Sequence, residues 1–326
     1  MMLNGSTPRA RQSGFTLVEV TIAMVLMGLL LGAFSTAASA AAKAREQARR
    51  QAALTADASL AMQRMVTAVR ESPGLMLPLG EDPATGYSES VREQHVPPKP
   101  GEEDRTAVLA VRLAPGIDRN ADGIADADND GDGRVDEDPS DDITNDGESG
   151  IRDFDDDHDG SVDEGLAFLS KDDDDEDGPD NEDDLNGIDS DNDGSIDEDP
   201  SSDWNDDNAP GIAGVDDDGD GLVDEGSDSD DDEDGQSDED WLDPVVFYLE
   251  GSELVERSAF PHDFTGNGSI DGRDFVEATL VERVSMFRVE RIVAPRAILV
   301  DITLELSEPD GLSVRLNTRV RVGAAT

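Results

Sequence analysis

Four stretches of this chain present carboxylates at alternate positions and then turn sharply. Asp128, Asp130 and Asp132 are followed by Gly133, Val135 and Asp136. The same frame returns as Asp155, Asp157, Asp159, Gly160, Val162 and Asp163, and again as Asp189, Asp191, Asp193, Gly194, Ile196 and Asp197. A fourth copy is Asp216, Asp218, Asp220, Gly221, Val223 and Asp224. Side-chain oxygens at alternate positions of a tightly turning backbone converge on one point, and oxygen donors suit a hard divalent cation. The copies start at 128, 155, 189 and 216, spacings of 27, 34 and 27 residues, which reads as internal duplication. Partial versions begin at Asp118, Asp173 and Asp230. A further loop uses Asp263, Thr265, Asn267, Gly268, Ile270, Asp271 and Asp274.

In an EF-hand loop, positions 1, 3 and 5 offer oxygens, glycine at 6 makes the turn, position 7 gives a carbonyl, and position 12 is a bidentate acid. The four strong copies have the first parts, with an apolar residue at position 8 expected to pack behind the site. They lack the last part: Pro139, Leu166, Pro200 and Ser227 stand at position 12. In this they resemble the tandem aspartate loops of thrombospondin type 3 repeats, which wrap chain around calcium with almost no apolar core. The loop at 263–274 resembles a dockerin-type EF-hand loop, with Asp274 at position 12. The cofactor these resemblances imply is Ca2+, several ions per chain.

A second constellation lies near the N-terminus. A short leader carrying Arg9 and Arg11 ends at Gly14, and an apolar run extends from Phe15 to about Ala38 with Glu19 as its only charge. About 20 apolar residues suffice to cross a bilayer as a helix. A carboxylate inside such a run is costly unless paired, so it marks function. The Gly14-Phe15-Thr16-Leu17-Val18-Glu19 sequence resembles the class III signal of type IV pilins and type II secretion pseudopilins. The resemblance implies a prepilin peptidase that cuts after Gly14 and methylates the amine of Phe15. It also implies that Glu19 pairs with the Phe15 amine of a neighbouring subunit during assembly. A bare count of basic residues argues for the opposite orientation, because Lys43, Arg45, Arg49 and Arg50 follow the apolar run. The specific leader outweighs it.

These residues need elements to hold them. From Ala40 to Ser72 the chain is rich in good helix formers, with Leu54, Ala58, Ala61, Met65 and Val69 on one stripe, and Pro73-Gly74 ends the pattern. One helix over residues 15–72, roughly 85 Å long, is predicted. Ile298 to Leu306 and Leu312 to Val322 alternate with period two around Pro309-Asp310-Gly311, a hairpin. Strands are also expected over 106–113, 245–250, 253–257 and 284–290. Arg315, Arg319 and Arg321 alternate on one strand face, which either docks an acidic partner or is simply solvated.

The net charge of −54 is concentrated. About 55 of the 79 acidic residues lie between Asp118 and Asp243, against four basic ones, so that stretch carries about −51. Nucleic acid is excluded as a partner by sign. The chain has no cysteine, so no disulfide framework or thiol nucleophile is available. No catalytic constellation stands out, and a non-enzymatic role is expected.

The predicted class is α+β: a long N-terminal helix packed on an antiparallel sheet, pilin-like, with a large calcium-loop-rich insertion. The expected organisation is a leader at 1–14, a transmembrane and spine helix at 15–72, and a first part of the head at 73–117. An acidic repeat insertion at 118–243 and the remaining head sheet at 244–326 follow. The order of head segments resembles J-type minor pseudopilins and W-type minor pilins. That implies a minor filament subunit, anchored once in the inner membrane with its head in the periplasm, then carried in a periplasmic or cell-surface filament. The implied partners are other subunits, prepilin peptidase and the inner membrane, with secreted cargo or a surface ligand as a further class. The rival expectation is a calcium-dependent adhesin displayed on a pilus-like stalk.

Overall fold

The structure is a computed structural model. It describes residues 16–80, 90–100, 106–165, 170–178, 180, 181, 183, 190, 196–215, 217 and 220–323. Helix α1 runs from Leu17 to Glu71. Residues 17–53 form one unit and residues 54–323 the other. In the first unit the helix is exposed along its apolar run, and it is long and apolar enough to cross a membrane. In the second unit Leu54, Ala58, Ala61, Met62, Met65 and Val69 are buried, which is the predicted stripe plus Met62. The helix ends as expected: the Ser72 hydroxyl donates to the Gly74 carbonyl at 2.6 Å, beside Pro73.

Among the described residues nine strands follow: β1 (Leu75–Leu77), β2 (Val91–His95), β3 (Leu109–Arg112), β4 (Pro244–Glu250), β5 (Glu253–Ala259), β6 (Phe275–Val281), β7 (Val284–Ala294), β8 (Ala297–Ser307) and β9 (Ser313–Arg321). They build two antiparallel sheets, ordered β1-β3-β4-β5-β6 and β2-β7-β8-β9. The buried helix face shares one core with inward residues of both sheets, among them Leu109, Phe247, Leu254, Phe287, Ile302 and Leu304. The α+β class is therefore as predicted. On β9, Arg319 pairs with Asp301 across the sheet at 2.7 Å, so part of the arginine row is engaged within the chain.

Strand β4 explains where the insertion sits. Its sequence, PVVFYLE, shows no alternation, and all but its last residue are buried. Val245, Phe247 and Leu249 face the helix core. Val246 and Tyr248 face a second core with Leu77, Val108, Ala110, Val255, Ile151 and Phe154. Ile151 and Phe154 belong to the acidic insertion. The Phe154 ring meets Tyr248 edge-on with centroids 5.1 Å apart. Two buried arginines from the sheets add polar ties. Arg92 on β2 donates to the Asp155 carbonyl at 2.6 Å and also to the Asp156 carbonyl. Arg257 on β5 donates to the Arg152 carbonyl at 2.6 Å and lies 3.8 Å from the Phe275 ring centroid. The insertion thus roofs the sheet face that the helix leaves open.

Candidate metal centre

The aspartate frames share a recurring backbone, from which the first copy departs at position 1, where Asp128 accepts the Gly131 N–H at 2.7 Å. The position-1 carboxylate accepts the N–H of position 6, as Asp155 does from Gly160 at 3.1 Å and Asp263 from Gly268 at 3.0 Å. The partial copies do the same: Asp118 with Gly123 at 3.1 Å, Asp173 with Gly178 at 3.5 Å and Asp230 with Gly235 at 3.2 Å. Position 3 then accepts from position 5, and position 5 from position 7. Asp130 takes the Asp132 N–H at 2.9 Å and Asp132 the Arg134 N–H at 2.6 Å. Asp157 takes the Asp159 N–H and Asp159 the Ser161 N–H, both at 2.8 Å. The residue at position 9 is left-handed in most described copies: Asp136, Asp163, Asn181, Asp197, Asp224 and Asp238 have φ between 53° and 60°, whereas Asp126 of the copy that starts at Asp118 is not left-handed. Aspartate is among the few side chains that tolerate this region.

Two loops escaped the sequence reading. Asp142, Thr144 and Asp146 form one, with the Gly147 N–H on Asp142 at 2.8 Å. Asp203, Asn205 and Asp207 form the other, with the Asn208 N–H on Asp203 at 2.9 Å. The available signal was the duplication itself, because residues 139–165 align with 200–226 at a constant offset. The two copies share detailed geometry. Ile151 donates to Asp156 at 2.6 Å and Ile212 to Asp217 at 2.7 Å. Gly150 and Gly211 have φ of 58° and 57°, and a Cβ on either would collide with the carboxylate of Asp156 or Asp217.

Acids from other loops lie close to the alternating aspartates. One oxygen each from Asp155, Asp157 and Glu176 lies within 4.8 Å of the others, with Glu176 coming from a later loop. Asp128, Asp130 and Asp132 form such a group within one loop. Asp132 also joins Glu137 and Asp232, and Asp130 joins Asp234 and Glu239. These placements make composite oxygen cages that short-range spacing does not reveal. Position 8 behaves differently from expectation. Val135 packs against the main core, but Val162, Ile196, Val223 and Ile270 are exposed. Without a paired helix behind each loop, the insertion rests on Ile151 and Phe154 instead.

Burial, with neighbouring charge second, raises the proton affinity of several of these acids. Burial, then the neighbouring Asp156 charge, pushes Glu176 up to about 10. Burial and Asp240 push Glu137 up to about 10, and burial and Asp138 push Glu239 up to about 9. Burial moves Asp157 and Asp136 up to about 7 each. Such groups gain from either protons or cations. The exposed loop at 263–274 differs. The Gly268 N–H leads the contacts that lower Asp263, and Arg273 leads those that lower Asp271. Thr265 donates to Asp263 at 3.3 Å, Asn267 donates to Asp271 at 2.7 Å, and Asp274 accepts the Phe264 N–H at 2.6 Å, closing the loop.

Gly14, Phe15, Asp189, Asp191, Asp193, Asp216 and Asp218 lie outside the described residues. Asp197, Asp220 and Asp224 of those copies are described. Glu19 sits in the first turn of α1 and accepts the Thr16 N–H at 2.9 Å, while its own N–H meets the Thr16 hydroxyl at 3.3 Å. This is a reciprocal capping box, legible as Thr16-x-x-Glu19 but not read as such from the sequence.

Residues 9–35 match the family model described as the prokaryotic N-terminal methylation motif. No curated protein and no solved structure matches the chain. The motif and the apolar helix that carries it support a type IV pilin- or pseudopilin-like subunit, processed by a prepilin peptidase and assembling with other such subunits. They fit a single-pass membrane anchor, and the motif belongs to structural rather than enzymatic proteins.

Proposed function

We propose that this chain is a minor pseudopilin or minor pilin of a type II secretion or type IV pilus filament, placed at or near the tip, with an insertion stabilised by calcium. The observation that carries the reading is the methylation motif at residues 9–35 on an apolar helix whose later half is buried by an antiparallel head. A minor position suits the insertion, because about −51 of charge on every subunit would repel across a tightly packed shaft. Calcium supplies the missing countercharge. The composite cages offer only oxygen donors, which suits Ca2+ over softer metals. Extracellular calcium modules bind at ~10⁻⁴ to 10⁻³ M, so the loops would fill outside the cytoplasm and stay empty within it. Before assembly the head would face the periplasm, with the inner membrane holding α1.

Intact mass spectrometry of membrane-extracted protein tests the assignment. A mature chain beginning at Phe15 with one added methyl group is expected. A chain beginning at Met1, or cut near residues 38–42, overturns it.

A further inference from the structure

The insertion begins after β3 and returns into β4, and its two stems are tied together. The Asn129 N–H donates to Asp240 at 2.7 Å, and its side-chain amide donates to the Trp241 carbonyl at 3.0 Å. Asp240 donates to the Asp138 carbonyl at 3.2 Å, forming an isolated antiparallel bridge. The Asp231 backbone N–H donates to Asp138 Oδ1 at 3.1 Å, across 93 positions of chain. At this crossing, one oxygen each from Asp138, Asp232 and Glu239 lies within 4.8 Å of the other two.

Asp138 is only 1 % exposed, and its Oδ2 has no hydrogen-bond partner. Glu239 Oε2 is likewise shielded from solvent, and the Glu239 carboxyl lies against that of Asp138. A buried carboxylate oxygen that meets only other carboxylates is strongly unfavourable. An adjacent cation is Arg134, whose Nη1 lies 3.1 Å from Asp232 Oδ2. The donors are all carboxylate oxygens, which suits a hard cation.

We propose that Asp138, Asp232 and Glu239 hold one Ca2+ that staples the entry stem of the insertion to its exit stem. This rests on the calcium reading above and differs from loops whose acids lie within one stretch, such as Asp128, Asp130 and Asp132. Those loops draw most ligands from neighbouring positions and order the chain locally. The stem site draws Asp138 from one end of the insertion and Asp232 and Glu239 from the other. It therefore closes the insertion on itself, and its occupancy decides whether the roof over the sheet is a closed unit.

The test uses the full-length chain in detergent micelles, with Ca2+ alone as the probe. Equilibrium dialysis gives the number of bound ions, and hydrogen exchange reports the stems at 129–131 and 240–242. Glu239→Gln and Asp138→Asn are expected to bind one Ca2+ fewer than wild type at millimolar free calcium. Calcium-dependent protection of both stems should be lost, while protection of 263–274 is unchanged. Because each substitution removes repulsion, stem protection without calcium should equal or exceed that of calcium-free wild type. A merely structural role would lower it. Unchanged stoichiometry with unchanged stem protection overturns the staple. If the variants do not fold, graded chelation of wild type decides: the two stems must open at the same free calcium, and opening at different levels refutes the proposal. Wild type that binds no Ca2+ at all refutes the broader calcium reading instead.

Discussion

The duplicated insertion contains its own control for how it is held. Phe154 and Val215 occupy equivalent positions of the two copies, as do Ile151 and Ile212. In the first copy Ile151 and Phe154 are 2 % and 1 % exposed, whereas Ile212 and Val215 are 50 % and 42 % exposed. Phe154→Ala removes a ring packed edge-on against Tyr248 and 5.6 Å from the Arg257 guanidinium. A buried Phe→Ala change costs about 3–5 kcal/mol. At 1.4 kcal/mol per tenfold, opening of the insertion from the sheet should become roughly a hundred- to several-thousand-fold more frequent. Val215→Ala, on the same backbone but with no sheet above it, should cost less than about 0.5 kcal/mol. Hydrogen exchange of residues 150–157 and of strand β4, in the full chain with millimolar calcium, measures both. Equal effects of the two substitutions, or no gain in exchange for Phe154→Ala, would refute docking of the insertion on the sheet.

Glu19→Leu should be inserted and processed yet enter filaments poorly, because leucine removes the pairing charge without harming the helix in lipid. Incorporation equal to wild type in purified filaments would refute the pairing role. Replacing Asp128, Asp130 and Asp132 together by Asn should remove about one site's worth of bound calcium by equilibrium dialysis and leave the β7–β8–β9 sheet folded; unchanged calcium binding would sink that loop as a site. The pH dependence has a defined sign. Glu176 and Glu137 rise to about 10, Glu239 to about 9 and Asp157 to about 7 in the fold, all above their unfolded values near 4. The unfolded chain therefore binds fewer protons in that window, and calcium-free stability falls as pH rises from about 4 towards 10. Thermal unfolding without calcium should have a higher midpoint at pH 5 than at pH 8. Millimolar calcium should shrink or reverse the difference, since protons compete for the same oxygens. A calcium-free midpoint that climbs with pH would count against the crowded-acid account.

Much of this molecule is set by local pattern. The helix expected over 15–72 is observed from Leu17 to Glu71, because residue propensity, a repeating stripe and a Pro-Gly stop are all short-range signals. The β8–β9 hairpin follows for the same reason: its alternation and its turn both lie within about twenty-five residues. The aspartate loops are equally local, since each Asx turn closes within six positions. What local pattern could not reveal was partnership. Strands β1, β2 and β6 were not anticipated. β1 is three residues long, and Val-Arg-Glu-Gln-His of β2 is polar, so both are strands only because the sheets extend to pair with them. The unbroken apolar run of β4 said that it was a strand but not that two different layers would cover its faces. The N-terminal motif and the recurring aspartate frames were thus written into the sequence by itself. Tertiary structure alone decided which copy of the repeat is buried, which distant acids come to lie beside particular loops, and that the two stems meet at Asp138, Asp232 and Glu239. Those outcomes depend on contacts between residues many positions apart, whose geometry is fixed by sheet pairing and core packing rather than by spacing along the chain.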